Sequence, residues 1–169
     1  MSDIYPDLYD FNLKQSLAKF VRESEFVATH AYPVNFEDTQ FNPKTYARWV
    51  SFEWVLFGAR MASDNVFHAQ CFNRANTDRF GKDFEIMIGR LKQTLAIWDG
   101  IAVYDYITTP ATPVPLKILG DQIKMAIRFK DRTATMDGSK MTESTSPVDG
   151  ISLVVLSYDI HVGRLHEIH

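Results

Sequence analysis

The sequence has a single cysteine, Cys71, among its 169 residues, so no disulfide can form within the chain. It has no apolar run long enough to span a membrane, and its first residues, MSDIYPDLYD, lack the basic segment and apolar stretch of a signal peptide. Positive charge is not in excess, because 18 Lys and Arg residues stand against 21 Asp and Glu residues, for a net charge of −3. A dedicated nucleic-acid binder needs a concentrated basic surface. These absences predict a protein made in a reducing cytoplasm, without a membrane anchor and without specific nucleic-acid binding.

Catalytic motifs are also missing from the sequence. There is no Gly-rich phosphate loop, no Gly-x-Ser-x-Gly and no His-Glu-x-x-His. His68 and Cys71 fall on opposite faces of a predicted strand, where a thiol and an imidazole do not meet. His161, His166 and His169 lie near the C-terminus, but their spacing is not a recognised ligand pattern. We therefore expect no catalytic residue, no cofactor and no metal, and hence a protein that is not an enzyme.

The sequence is rich in apolar side chains, which make up 46% of the residues, with 13% aromatic. That content predicts one folded domain over residues 1–169. The clearest strand is Arg48–Phe57, where residues alternate with a period of two. One face is wholly apolar (Val50, Phe52, Trp54, Leu56) and the other is mixed (Trp49, Ser51, Glu53, Val55, Phe57). We expect the mixed face to be covered, either by a helix of the same chain or by another copy of the protein.

The remaining pattern predicts an α+β fold, with a mostly antiparallel sheet packed by two helices in a single domain. Helices are expected over Asp7–Ser24 and from Thr77 to the Asp99-Gly100 pair. Gly81 and Gly89 in the second helix suggest close backbone packing. The apolar stripe of that helix contains Phe80, Phe84, Ile88, Leu91, Leu95 and Trp98. Further strands are expected over Val66–Arg74, Ile101–Ile107, Gln122–Lys130 and Ile151–Val162.

Two long loops are predicted, at residues 108–117 and 131–150. The first contains three prolines in Thr108–Pro115, which favour an extended segment with few ladder hydrogen bonds. The second is rich in Ser and Thr, and its pattern is consistent with either a projecting hairpin or a mobile loop. Met136 and Met141 are its only sizeable apolar side chains and are candidate contacts to a neighbouring protein.

The stretch before the Arg48–Phe57 strand resembles a known family. It contains Asn-aromatic-Glu, then Phe-x-Pro, then Trp-Val leading into the strand, carried by Asn35, Phe36, Glu37, Phe41, Pro43, Trp49 and Val50. This order is similar to that of the tail terminator proteins of long-tailed bacteriophages, and the order of helices and strands is similar over most of the chain. Lys44-Thr45-Tyr46-Ala47 differs from the short glycine-containing link often found there, and the segment from Thr108 to Gly150 matches no known pattern.

The resemblance implies a structural virion protein, made in the host cytoplasm and located in the virion tail. Such a protein forms a hexameric ring that caps the tail tube, terminates its polymerisation and joins it to the head connector. Its partners would be further copies of itself, the tail tube protein and the head–tail connector protein, and DNA would pass the lumen without specific binding. The alternatives are another head–tail joining or minor tail protein, and a small cytoplasmic enzyme or ligand-binding domain.

Two kinds of residue are predicted to serve this assembly. The segment Asn35–Trp49 is expected to be a structural corner, with Phe36, Phe41 and Trp49 buried. Contacts between subunits are expected from an N-terminal arm, from the mixed face of the strand and from the second long loop. The interface candidates are Ile4, Tyr5, Trp49, Val55, Phe57, Met136 and Met141.

Replacing Val55 with Arg tests the mixed strand face. An unpaired charge is costly to remove from water, so the variant should remain folded but should not form rings. Circular dichroism measures the fold and light scattering measures the assembly. Assembly equal to that of the wild-type protein would exclude this strand face from the interface.

Overall fold

The computed structural model describes residues 6–56, 65–118, 120–135 and 150–164. Its helices are α1 (Pro6–Glu23), α2 (Glu25–Ala28) and α3 (Lys82–Thr94). Its strands are β1 (Val34–Asn35), β2 (Arg48–Leu56), β3 (Asn65–Arg74), β4 (Ile97–Ala102), β5 (Tyr104–Asp105), β6 (Val114–Pro115), β7 (Lys117–Ile118), β8 (Asp121–Thr135) and β9 (Ile151–Arg164). The fold is therefore α+β, as the sequence pattern predicts.

The main sheet has the strand order β1-β2-β3-β9-β8-β4, and β7 also pairs with β8. Its strands pair antiparallel, except that β1 runs parallel to β2 with Val34 opposite Val50. The longest pairing joins β8 to β9, as far as Thr135 opposite Leu153. Residues 131–135, predicted as part of a loop, thus extend β8, and residues 136–149 lie outside the described part of the chain.

The core lies between the helices and one face of the sheet. Leu13, Leu17 and Val21 of α1 are fully buried, as their helical spacing predicts. The apolar faces predicted for β2, β3 and β9 supply the opposite side of the core. Buried members of this cluster include Val50, Phe52, Phe67, Ala69, Cys71, Val154, Leu156, Tyr158, Ile160 and Val162.

Two polar side chains of α1 bind the backbone of β5 and of the residue that follows it. The side-chain oxygen of Asn12 accepts a hydrogen bond from the backbone N–H of Tyr106 at 2.8 Å. One helical turn later, Ser16 Oγ accepts from the N–H of Tyr104 at 2.9 Å. Both side chains are buried, with at most 3% of their surface exposed. Residues four apart lie on one face of a helix. The two side chains therefore accept hydrogen bonds from backbone N–H groups that a neighbouring strand would otherwise accept.

The predicted limits of the second helix are wrong at both ends. Phe80 and Gly81 have positive φ angles of 59° and 72°, so helical geometry begins only at Lys82. At the other end, Leu95 leaves the helix and Trp98 lies in β4. Phe80 and Trp98 are therefore 97% and 61% exposed and do not join the core. Phe80 and Trp98 continue the apolar spacing in the sequence, although neither residue lies in α3.

Two predictions about glycine and proline are also corrected. A Cβ added to Gly81 or Gly89 would meet no atom within 4 Å, so the predicted close backbone packing is absent at both glycines. Gly81 is needed for its positive φ instead. In the Pro-rich segment Thr108–Pro115, the last two residues form β6, with Pro115 opposite Tyr104.

No helix in the described ranges has the length and apolar character needed to cross a bilayer.

Asp78 should determine where α3 begins. Its carboxylate accepts hydrogen bonds from the backbone N–H groups of Asp83 at 2.9 Å and Phe84 at 2.8 Å, and only 7% of the residue is exposed. Asp78→Ala leaves both donors unpaired and should lower the free energy of unfolding by about 1–2 kcal/mol. Urea denaturation measures this loss. As the control, Asp83→Ala removes an exposed carboxylate from the same turn and should cost about 0.5 kcal/mol; equal losses would contradict the capping role.

Candidate functional site

The Asn35–Trp49 segment, called the Asn35 corner below, begins with a turn closed by its own asparagine. Asn35 Oδ1 accepts from the N–H of Glu37 at 2.9 Å, and Asn35 Nδ2 donates to Ser51 Oγ at 3.2 Å. This turn directs the Phe36 ring onto Phe52, with 4.5 Å between ring centroids and 10° between ring planes. Phe36 is 6% exposed, so the Asn-Phe-Glu sequence holds the corner against the core.

Arg22 of α1 holds the same end of the corner from outside. Its guanidinium lies 4.9 Å from the Phe36 ring centroid and donates two hydrogen bonds to Asp38, at 2.7 and 2.8 Å. These bonds lower the pKa of the Asp38 carboxyl from its ordinary value. A planar group that stacks and binds a carboxylate through both nitrogens is specific to arginine.

The other end of the corner depends on Arg74. Its guanidinium donates to the carbonyl oxygens of Tyr46 at 3.0 Å and Pro43 at 3.2 Å. It also lies 5.3 Å from the Trp49 ring, whose other contact is a stacked Phe72 ring at 5.0 Å. Trp49 is consequently 5% exposed. The chain therefore covers its own indole at this point.

The predicted burial is confirmed for Phe36 and Trp49 and wrong for Phe41, which is only half-buried and stacks on Tyr46 at 5.4 Å. For Trp49, the cover comes from within the chain, and little of the ring is left for a partner. The interface role of the other candidates stays a prediction. Ile4, Tyr5, Phe57, Met136 and Met141 lie outside the described residues, as does the side chain of Val55.

A groove that the sequence analysis did not predict lies beside the corner. It has a volume of about 260 Å³. Phe11 in the groove is 44% exposed and Trp54 is half-buried, so aromatic surface is open to solvent there. Its walls come from α1, from the Asn35 corner and from β2, which are far apart in sequence. The lining residues of this Trp54 groove are Phe11, Lys14, Gln15, Ala18, Phe36, Glu37, Asp38 and Trp54.

A second cleft, of about 340 Å³, opens between α1, α2 and α3. Glu25, His30 and Arg90 are its charged or titratable lining residues. Arg90 Nη1 donates to the hydroxyl of Tyr32 at 3.0 Å and its guanidinium lies 6.0 Å from the Tyr32 ring, so this cation contributes to packing. Phe20, Ser24, Phe26, Gln93, Thr94 and Ala96 complete the lining.

Two observations bear on chemistry in the described part of the chain: the state of the Cys71 thiol and the placement of metal-ligating side chains. Burial raises the pKa of the Cys71 thiol to about 12, which leaves it protonated at neutral pH and unsuited to nucleophilic attack. Among residues 6–56, 65–118, 120–135 and 150–164, no three His, Cys, Asp or Glu side chains are placed to hold a metal ion.

Comparison with protein-family models, with curated proteins and with solved structures finds no match to this chain. The resemblance to tail terminators, which was drawn from the sequence around Asn35 and the predicted order of helices and strands, therefore stays a prediction.

Trp49→Ala should lower the free energy of unfolding by about 3–5 kcal/mol, because it leaves a cavity between Phe72 and Arg74. Thermal or urea denaturation measures the change. Trp98→Ala is a matched control, because that indole is 61% exposed and its removal should cost about 0.5 kcal/mol. If Trp49→Ala left stability unchanged and prevented assembly, the ring would belong to an interface instead.

Proposed function

We propose that this chain is the subunit of a ring that caps a bacteriophage tail tube, ends its polymerisation and joins it to the head connector. The observation that carries the proposal is that Phe80 and Phe11, which lie at two separate places, are among the large apolar side chains exposed to solvent. Phe80 projects before α3, and Phe11 lines the Trp54 groove. A subunit that closes a ring needs two different patches of this kind.

The register of the sheet separates these two places. Phe80 follows β3, which ends at Arg74 beside the start of β2, since Arg48 pairs with Asn73. The groove contains Trp54, which pairs with Phe67 near the start of β3. Six residues of strand span roughly 20 Å. The two apolar patches therefore lie toward opposite ends of the β2–β3 pair and are suited to contacts with two different neighbours.

The capping mechanism follows from a ring with two unlike faces. One face matches the end of the tail tube, and the other does not offer the surface on which the next tube ring would assemble. Polymerisation then stops, and the free face binds the connector. The net charge of −3 is consistent with a lumen that DNA passes without being held, because phosphate binding requires an excess of basic side chains. Another position in the head–tail joint or a minor tail role would use the same surfaces.

A ligand-binding domain is the second candidate, and the observation in its favour is the cleft between the three helices. The cleft contains Glu25, His30 and Arg90 and is large enough for a small polar molecule. It is the weaker proposal because Arg90 is bonded to Tyr32 and contributes to packing.

Addition of the purified protein to polymerising tail tube protein tests the capping function. We expect light scattering to show an oligomer of the chain alone, and electron microscopy to show shorter tubes with a ring at one end. Tube protein without the chain is the control and should give tubes of uncontrolled length. A monomer that leaves tube lengths unchanged would contradict the proposal.

A further inference from the structure

The residues Arg79–Lys82, called the Phe80 tip below, present an aromatic ring fully to solvent. Phe80 is 97% exposed, the highest value among the large exposed hydrophobic residues described. The guanidinium of Arg79 lies 5.9 Å from the centroid of the Phe80 ring. Folding of the single chain therefore gains almost nothing from burying this side chain.

The backbone of the tip is strained as well as exposed. Phe80 has φ 59° and ψ 17°, the left-handed region that side chains other than glycine rarely adopt. The hydrogen bonds of Asp78 to Asp83 and Phe84 hold the chain on the far side of this turn. Strain of this kind persists where the surrounding structure imposes it, and it is concentrated at functional contacts.

The Trp54 groove is lined by aromatic side chains. Phe11, Phe36 and Trp54 give it aromatic walls, and Ala18 leaves space between them. Its volume of about 260 Å³ suits one large side chain. Aromatic side chains that fill such pockets often carry most of the binding energy of an interface.

One acidic side chain of the groove is placed to meet the basic tip. Arg79 and Lys82 stand on either side of Phe80 and Gly81, and Asp83 beside them is paired with Arg48. In the groove, Asp38 is paired with Arg22 at 2.7 Å, and Lys14 is the basic lining residue, with Nζ 6.0 Å from the Trp54 ring centroid. Glu37 is therefore the acidic lining residue that Arg79 or Lys82 of a second copy can contact.

We propose that the Phe80 tip of one copy of this chain binds in the Trp54 groove of the next copy. The tip and the groove lie toward opposite ends of the β2–β3 pair, so one chain does not fill its own groove. The contact is head-to-tail, and repeated contacts of this type generate a closed ring if the rotation closes. This inference rests on the self-association included in the proposed function and assigns the residues that carry it.

Complementary variants test the contact by sedimentation velocity. Phe80→Asp removes the tip and retains the groove, whereas Phe11→Asp damages the groove and retains the tip. Each variant alone should be monomeric, with association weakened by about tenfold or more. An equimolar mixture of the two should give a dimer that grows no further, because only one intact tip and one intact groove can meet. Trp98→Asp is the control, an exposed aromatic outside both surfaces, and should assemble as the wild-type protein does.

Phe80→Gly separates binding from folding. Glycine adopts the left-handed conformation without steric cost, so the melting temperature of this variant should not fall, while assembly should be lost. Assembly of Phe80→Asp or Phe80→Gly at the wild-type level, or a mixture of Phe80→Asp and Phe11→Asp that stays monomeric, would overturn the tip-to-groove contact alone. A wild-type protein that remains monomeric at high concentration would overturn both this contact and the proposed ring.

Discussion

The stacking of two arginines on two aromatic rings holds the Asn35 corner, and much of the structure depends on that corner. Arg22 fixes Phe36 and Asp38, and Arg74 fixes Trp49 and the carbonyl groups before it. The corner in turn places β1 beside β2 and supplies one wall of the Trp54 groove. Since each guanidinium both stacks and donates hydrogen bonds, lysine would not reproduce these contacts.

The strands were predictable from the sequence because alternation reports burial directly. The predicted apolar faces of β3 and β9 are buried, and in β2 Val50 and Phe52 are buried while Trp54 is half-buried. The limits of α3 were not predictable in this way. Phe80 and Trp98 continue the helical spacing, but the helix begins after a left-handed turn and ends where Ile97 pairs with Ile127 of β8. The start is set by a local left-handed turn and the Asp78 carboxylate, and the end by pairing with the distant strand β8; apolar periodicity reports neither.

The candidate site likewise has one part that the sequence predicts and another part that it does not. The Asn35 corner could be predicted as structural because its turn residues and aromatic residues are close together in the sequence. The Trp54 groove combines α1 with β2, and no local pattern connects Phe11 to Trp54. Phe80 matched a core position, although the positive φ at Phe80 and Gly81 directs its side chain to solvent. The sequence signal that could have found it is the Phe-Gly pair after Asp78, which interrupts the start of a helix.

The irregular outer strand β4 has a consequence for solubility. The pairing of β4 with β8 shifts in register between Ile97 and Ile101, and Gly100 there has a φ of 84°. Regular edge strands template the addition of further strands and lead to open-ended aggregates, whereas a bulged edge does not fit a second strand. On the opposite side of the sheet, β1 covers part of the β2 edge with only two residues. The irregular β4 edge therefore gives a second copy of the chain little regular strand to pair with.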